Sequence, residues 1–263
     1  MELGLTGKVA AVAAASRGLG RAVADALARE GANVAICARN RERVEKAAEE
    51  IARATGREVL PVVADVATPE GPAAFVEATV AQFGKLHILF SNAGGPAPGR
   101  FDEISEEDWL KGVDLTLLSA IRLTRAALPH IRRQGWGRLI YLTSVSVKQP
   151  IDTLVASNVL RPGVVGLAKS LATQLAAEGI TVNVICPGYF RTERVEELAQ
   201  DLAKRRGVSP EEVIAEWEAG IPARRLGNPV ELGDFVAFLA SERAAYLTGT
   251  TIQVDGGYVR ALM

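Results

Sequence analysis

Residues 8–31 read KVAAVAAASRGLGRAVADALAREG. Val9 to Ala15 is an apolar run of small side chains with the length of a buried parallel strand. Ser16-Arg17-Gly18-Leu19-Gly20 follows as a tight turn. Ala22, Val23, Ala26 and Leu27 then recur at helical spacing until Gly31 ends the run. Strand, glycine turn and helix are the opening of a dinucleotide-binding βαβ unit. In such a unit glycine lets the backbone approach a pyrophosphate, and the helix N-terminus offers it free N–H groups. One position departs from the pattern. The strand end, where glycine is usual, holds Ala14, and alanine tolerates positive φ poorly. A packed strand–helix turn with no ligand gives the same short pattern, so the rest of the chain must decide.

Strand-like runs recur downstream at Asn33–Ala38, Glu58–Ala64, Leu86–Phe90, Gly137–Thr143, Ile180–Cys186 and Thr250–Val254. Between them lie helical patterns at about 41–55, 70–83, 106–134, 164–177 and 229–241. Strict alternation without linker or repeat predicts an α/β chain: one doubly wound, Rossmann-type parallel sheet of about seven strands with helices on both faces. Residues 195–220 are charged, helical and poorer in core residues, which predicts a helical, lid-like insert beside a site.

With 263 residues and 48% hydrophobic side chains, the chain can bury a large core. A net charge of −1 without charge blocks argues against a nucleic-acid or anionic-membrane partner. Cys37 and Cys186 lie in separate apolar runs and predict neither a disulfide nor a metal site; His87 and His130 read as surface or packing residues. No signal-peptide or membrane-spanning pattern is evident, so a cytoplasmic protein is expected.

The carboxyl ends of the strands hold the candidate site. After the second strand comes Arg39 rather than an acid, and Arg17 projects from the glycine turn. Two guanidinium groups near one adenosine ribose suit a 2′-phosphate, so NADP(H) is expected over NAD(H). Asp65-Val66 ends the third strand; Asp65 either accepts a bond from an adenine amino group or caps the next turn. Asn92-Ala93-Gly94 follows the fourth strand. Asp114 lies in the apolar 106–134 helix, where an acid needs a partner. That helix is apolar on more than one side, which suggests burial against a second subunit, hence a homodimer or homotetramer.

These motifs resemble the short-chain dehydrogenase/reductase family, and within it the 3-oxoacyl-[acyl carrier protein] reductase-like branch. The 16–20 turn is similar to the end of its T-G-x-x-x-G-x-G motif, and Asn92-Ala93-Gly94 to its N-A-G motif. Ser144 falls on its catalytic serine. Pro187-Gly188 with Thr192 resembles its nicotinamide-carboxamide loop, and residues 225–231, 247–249 and 254–257 its C-terminal signature. The resemblance implies binding at Ala14, Ser16, Arg17, Gly18, Leu19, Gly20, Arg39, Asp65, Val66, Asn92, Ala93, Gly94, Arg161, Pro187, Gly188 and Thr192.

The family's catalytic positions are altered. Ser157 occupies the tyrosine position and Arg161 the lysine position, while Asp114 is aligned with the asparagine. Serine is a far weaker acid than a phenol, whose pKa is near ~10. Ser157 otherwise reads as a helix N-cap. Arg161 keeps a cation but stays protonated, and Pro162 suggests that the helix starts late or kinks there. Tyr189, beside Pro187-Gly188, is the candidate substitute proton donor. The resemblance therefore implies an NADP(H)-dependent oxidoreductase acting on a carbonyl or the matching alcohol. The alternatives are a catalytically silent nucleotide-binding or regulatory protein, or isomerisation or dehydration with Asp114 as base.

Overall fold

The computed structural model describes residues 2–262. Seven strands form one parallel sheet: β1 (Val9–Val12), β2 (Asn33–Ala38), β3 (Val59–Val63), β4 (Ile88–Ser91), β5 (Gly137–Leu142), β6 (Ile180–Pro187) and β7 (Thr251–Val254). Their order across the sheet is β3-β2-β1-β4-β5-β6-β7. The order reverses between β1 and β4, the point where an open α/β sheet splays its crossovers and leaves a crevice at the strands' carboxyl ends.

Each interior strand is buried on both faces, and its side chains alternate between two cores. Ala10 and Val12 of β1 pack on one side with α1 (Gly18–Arg29), α2 (Arg41–Thr55) and α9 (Pro229–Ala240). Val9 and Ala11 pack on the other with α3 (Gly71–Phe83), α5 (Ser119–Arg132) and α6 (Val155–Leu175). Pro61 sits on β3, an edge strand, where its missing N–H costs the sheet little. The segment 195–220 is two helices, α7 (Glu193–Arg206) and α8 (Pro210–Gly220). They enclose a small apolar cluster of their own, Ala199, Ala203 and Val213, separate from both sheet cores.

The helix expected at 106–134 is interrupted. It runs as α4 (Glu106–Gly112), then a π-helical turn at Val113–Leu118, then α5. The helix after β5 starts at Val155, well before Pro162, which sits inside it. The late start expected from Pro162 is therefore corrected. Proline's fixed φ is compatible with helix, so the helix carries through Pro162 at the cost of one N–H bond and of crowding between the ring and the Asn158 carbonyl one turn back. Among the described residues no helix is long and apolar enough to cross a membrane.

Candidate active site

The chain leaves β1 through Ala14, whose φ of 50° lies in the left-handed region that favours glycine. The kink is held from the next strand. Asn92, just after β4, donates its side-chain amide to the carbonyls of Ala13 and Ala14, each at 3.3 Å. Gly20 closes the turn from below. A Cβ there would lie 2.5 Å from the Ala14 oxygen and 2.8 Å from the Asn92 amide nitrogen, so no larger residue fits. The turn feeds directly into α1, whose N-cap, Arg17, makes no side-chain capping bond. The first N–H groups of α1 are thus left for an outside acceptor.

These elements wall a cleft of about 610 Å³ along the carboxyl edge of the sheet. Ala14 and the turn residues Ser16, Arg17, Gly18, Leu19 and Gly20 line it. So do Arg39 after β2, Asp65 and Val66 after β3, and Asn92, Ala93 and Gly94 after β4. Pro187, Gly188, Thr192 and Arg161 complete the wall. Arg43, on the first turn of α2, also lines the cleft and was missed in the sequence, where 41–55 read only as a helix. Thr192 doubles as the N-cap of α7, accepting a bond from Val195 N–H at 3.4 Å. Asp65 Oδ1 accepts the Ala67 N–H at 3.0 Å, so this oxygen makes the capping contact that was one of its two readings.

The two arginines expected to act together differ in state. Arg17 donates to Glu193 (2.6 Å) and Glu197 (3.0 Å) on the first turns of α7. These carboxylates, Glu193 foremost, hold its pKa above the usual value. Among the described residues, Arg39 and Arg43 enter no ion pair, and both are exposed at the cleft. The positive charge left uncompensated therefore comes from Arg39 and Arg43, not from Arg17 and Arg39.

The catalytic expectations fare unevenly. Arg161 reaches the cleft floor. Its Nη1 donates to the Thr143 carbonyl at 2.7 Å, and its Nε is buried with no partner. Burial pushes its pKa down to about 10, so it remains a cation at neutral pH. Ser144 lies next to Thr143, and its Oγ accepts the Ser146 N–H at 3.1 Å. Ser157 is not an N-cap, because α6 begins two residues earlier; it is buried, with its hydroxyl 2.9 Å from that of Ser146. Neither serine is among the residues lining the cleft.

Asp114 does not occupy the inward position. The π turn carries an extra residue and rotates the helix, so Asp114 points outward, half-exposed, and pairs with Arg122 at 2.9 Å. Thr116 turns inward instead. Its hydroxyl is buried without a partner and faces the same small void, behind the main cleft, that Arg161 lines. Tyr189 is likewise displaced from its expected role. Its ring stacks on Trp217 of α8 (5.2 Å between centroids) and meets Tyr258 edge-on at 5.4 Å, away from the residues lining the cleft. Burial raises its pKa, the reverse of tuning toward neutrality.

Fold and cleft together define a dinucleotide-cleft oxidoreductase, and the chain belongs to the short-chain dehydrogenase/reductase family. The family model described as Enoyl-(Acyl carrier protein) reductase matches residues 13–259. Oxidoreductase UcpA of Escherichia coli K12 is 38% identical over 256 residues, covering 96% of this chain and 95% of that protein. The 3-oxoacyl-[acyl-carrier-protein] reductase FabG of Staphylococcus aureus is 36% identical over 253 residues, covering 95% and 97%. The crystal structure of L-sorbose reductase from Gluconobacter frateurii, complexed with NADPH and L-sorbose, superposes with a TM-score of 0.95 at 35% identity over 100% of both chains.

Proposed function

We propose that the protein is an NADP(H)-dependent carbonyl reductase, or runs the matching alcohol oxidation, on a substrate of 3-oxoacyl type or similar. The observation that carries this reading is the unpaired Arg39–Arg43 couple at the end of β2, where an NAD-selective site would place an acid. The glycine turn and the free α1 N-terminus fit a pyrophosphate, and Asp65, Asn92, Thr192 and Arg161 supply polar groups along the remaining length. When bound, the nicotinamide supplies hydride chemistry. The protein's own contribution is to orient the reactants, and Arg161 presents a permanent cation to negative charge developing on a carbonyl oxygen.

Among the described residues no phenol lines the cleft. The proton on this reading comes from solvent admitted to the cleft. The reading therefore includes slow turnover, because general-acid help is worth about 10²–10⁴-fold. The helices α7 and α8 serve as the lid, and the π-turn face serves as a contact between copies in a homodimer or homotetramer. Fluorescence titration with NADPH and NADH, followed by turnover on 3-oxoacyl thioesters and ketoses, tests the reading. NADPH should bind more tightly than NADH. Equal affinity would remove the role of Arg39 and Arg43. Tight binding with no turnover on any ketone would favour a nucleotide-binding protein that is catalytically silent, the reading that the buried Ser157 hydroxyl supports.

A further inference from the structure

The pair α7–α8 has a small apolar cluster of its own, Ala199, Ala203 and Val213 with Trp217 against them, and α8 is tied to the flanking loops through the Tyr189–Trp217 stack and the Arg191–Glu218 pair. Arg206 and Glu216 join its two helices at 2.7 Å, within the pair. Among the described residues, the ion pairs between α7 and the rest of the molecule all run to one side chain, Arg17. Directly beneath them Gly18 comes up against Thr192, where a Cβ would be 3.8 Å from the threonine methyl. The ion pairs that tie the first turns of α7 over the glycine turn therefore converge on a single guanidinium that itself lines the coenzyme cleft, beside the backbone bonds of Arg191 and Tyr189 to Gly227 that hold the chain just before the helix.

We propose that Glu193 and Glu197 are coenzyme-discriminating residues: they hold Arg17 while the cleft lacks a 2′-phosphate and surrender it when one arrives, releasing the first turn of α7. The inference rests on the NADP(H) reading above. Arginine pairs with phosphate in the same forked geometry it offers a carboxylate, and a 2′-phosphate brings close to two negative charges on one group. The pairs to be broken are weak, because Arg17 is 40% exposed and its partners 59% and 46%. Arg39 and Arg43 meet the phosphate first, and Arg17 joins them by leaving the lid. An NADH-like ligand offers no such exchange and leaves α7 pinned.

A double-mutant cycle on the full-length protein tests this. E193Q/E197Q should bind NADPH more tightly, by up to about fivefold, and leave NADH affinity unchanged. In an R17Q background the same two substitutions should add nothing, which separates a clasp from simple removal of negative charge. Amide exchange across residues 193–206 of the ligand-free protein should rise in both E193Q/E197Q and R17Q. An equal gain for NADPH and NADH would overturn the assignment to the 2′-phosphate and point to the pyrophosphate. A gain that persists with R17Q, or exchange unchanged in α7, would overturn the clasp. If the unsubstituted protein binds neither nucleotide, the NADP(H) reading fails first and the clasp with it.

Discussion

Ala14 is, with Arg224, one of two non-glycine residues at positive φ among the described residues. An L-residue in the left-handed region is strained by about 1–2 kcal/mol, of which glycine relieves most while losing some chain entropy. Ala14→Gly should therefore stabilise the protein by about 1 kcal/mol and raise Tm by about 2–4 °C in a calorimetric scan. Tyr189 gives the opposite kind of expectation. Tyr189→Phe keeps the stack on Trp217 and should leave kcat near the wild-type value, whereas removal of a true general acid costs about 10²–10⁴-fold. These two residues also show how far the chain could be read unaided. Glycine-turn spacing is a backbone property, and the residues of the 16–20 turn line the cleft, as do those that the family resemblance named on the other strand ends. Tyr189 was placed near the reactive end by position alone, and position does not give the direction of a side chain.

Among the elements, the π turn is where the family alignment misleads. It sets Asp114 at the asparagine position, but the wider turn over 113–118 brings in Thr116. Nothing in the local composition announces such a turn, whereas the strands were legible because runs buried on both faces have few competing explanations. At the start of α8, Ser209-Pro210-Glu211-Glu212 forms a capping box, with Ser209 Oγ accepting from Glu212 N–H at 3.1 Å and Glu212 accepting from Ser209 N–H at 2.8 Å. Ser209→Ala should cost α8 about 1 kcal/mol. Because α7–α8 has its own small core, the loss should show as faster proteolysis within 207–220 with little change in global Tm.

For the whole molecule, the side of the sheet opposite the cleft sets the acid limit. His87 is buried and accepts the Val9 N–H on Nδ1 at 3.1 Å, with Trp136 edge-on and Lys8 and Arg138 over the indole. Burial, with Lys8 and Lys85 adding to it, lowers its pKa from 6.5 to about 4. The folded state thus holds this imidazole neutral where the unfolded chain protonates it. The contribution is complete above pH 6.5 and is lost as pH falls toward about 4. Thermal midpoints between pH 4 and 8 should fall on the acid side, and His87→Gln should flatten that limb. The independence of the α7–α8 cluster reaches beyond stability. A segment that packs so little on the sheet is free to diverge on its own schedule, and a lineage could trade one version for another while the sheet and its two cores stay untouched, provided the carboxylates facing Arg17 are kept. Chimeras carrying this segment from a relative should fold, and their preferences among substrates should travel with the transplant.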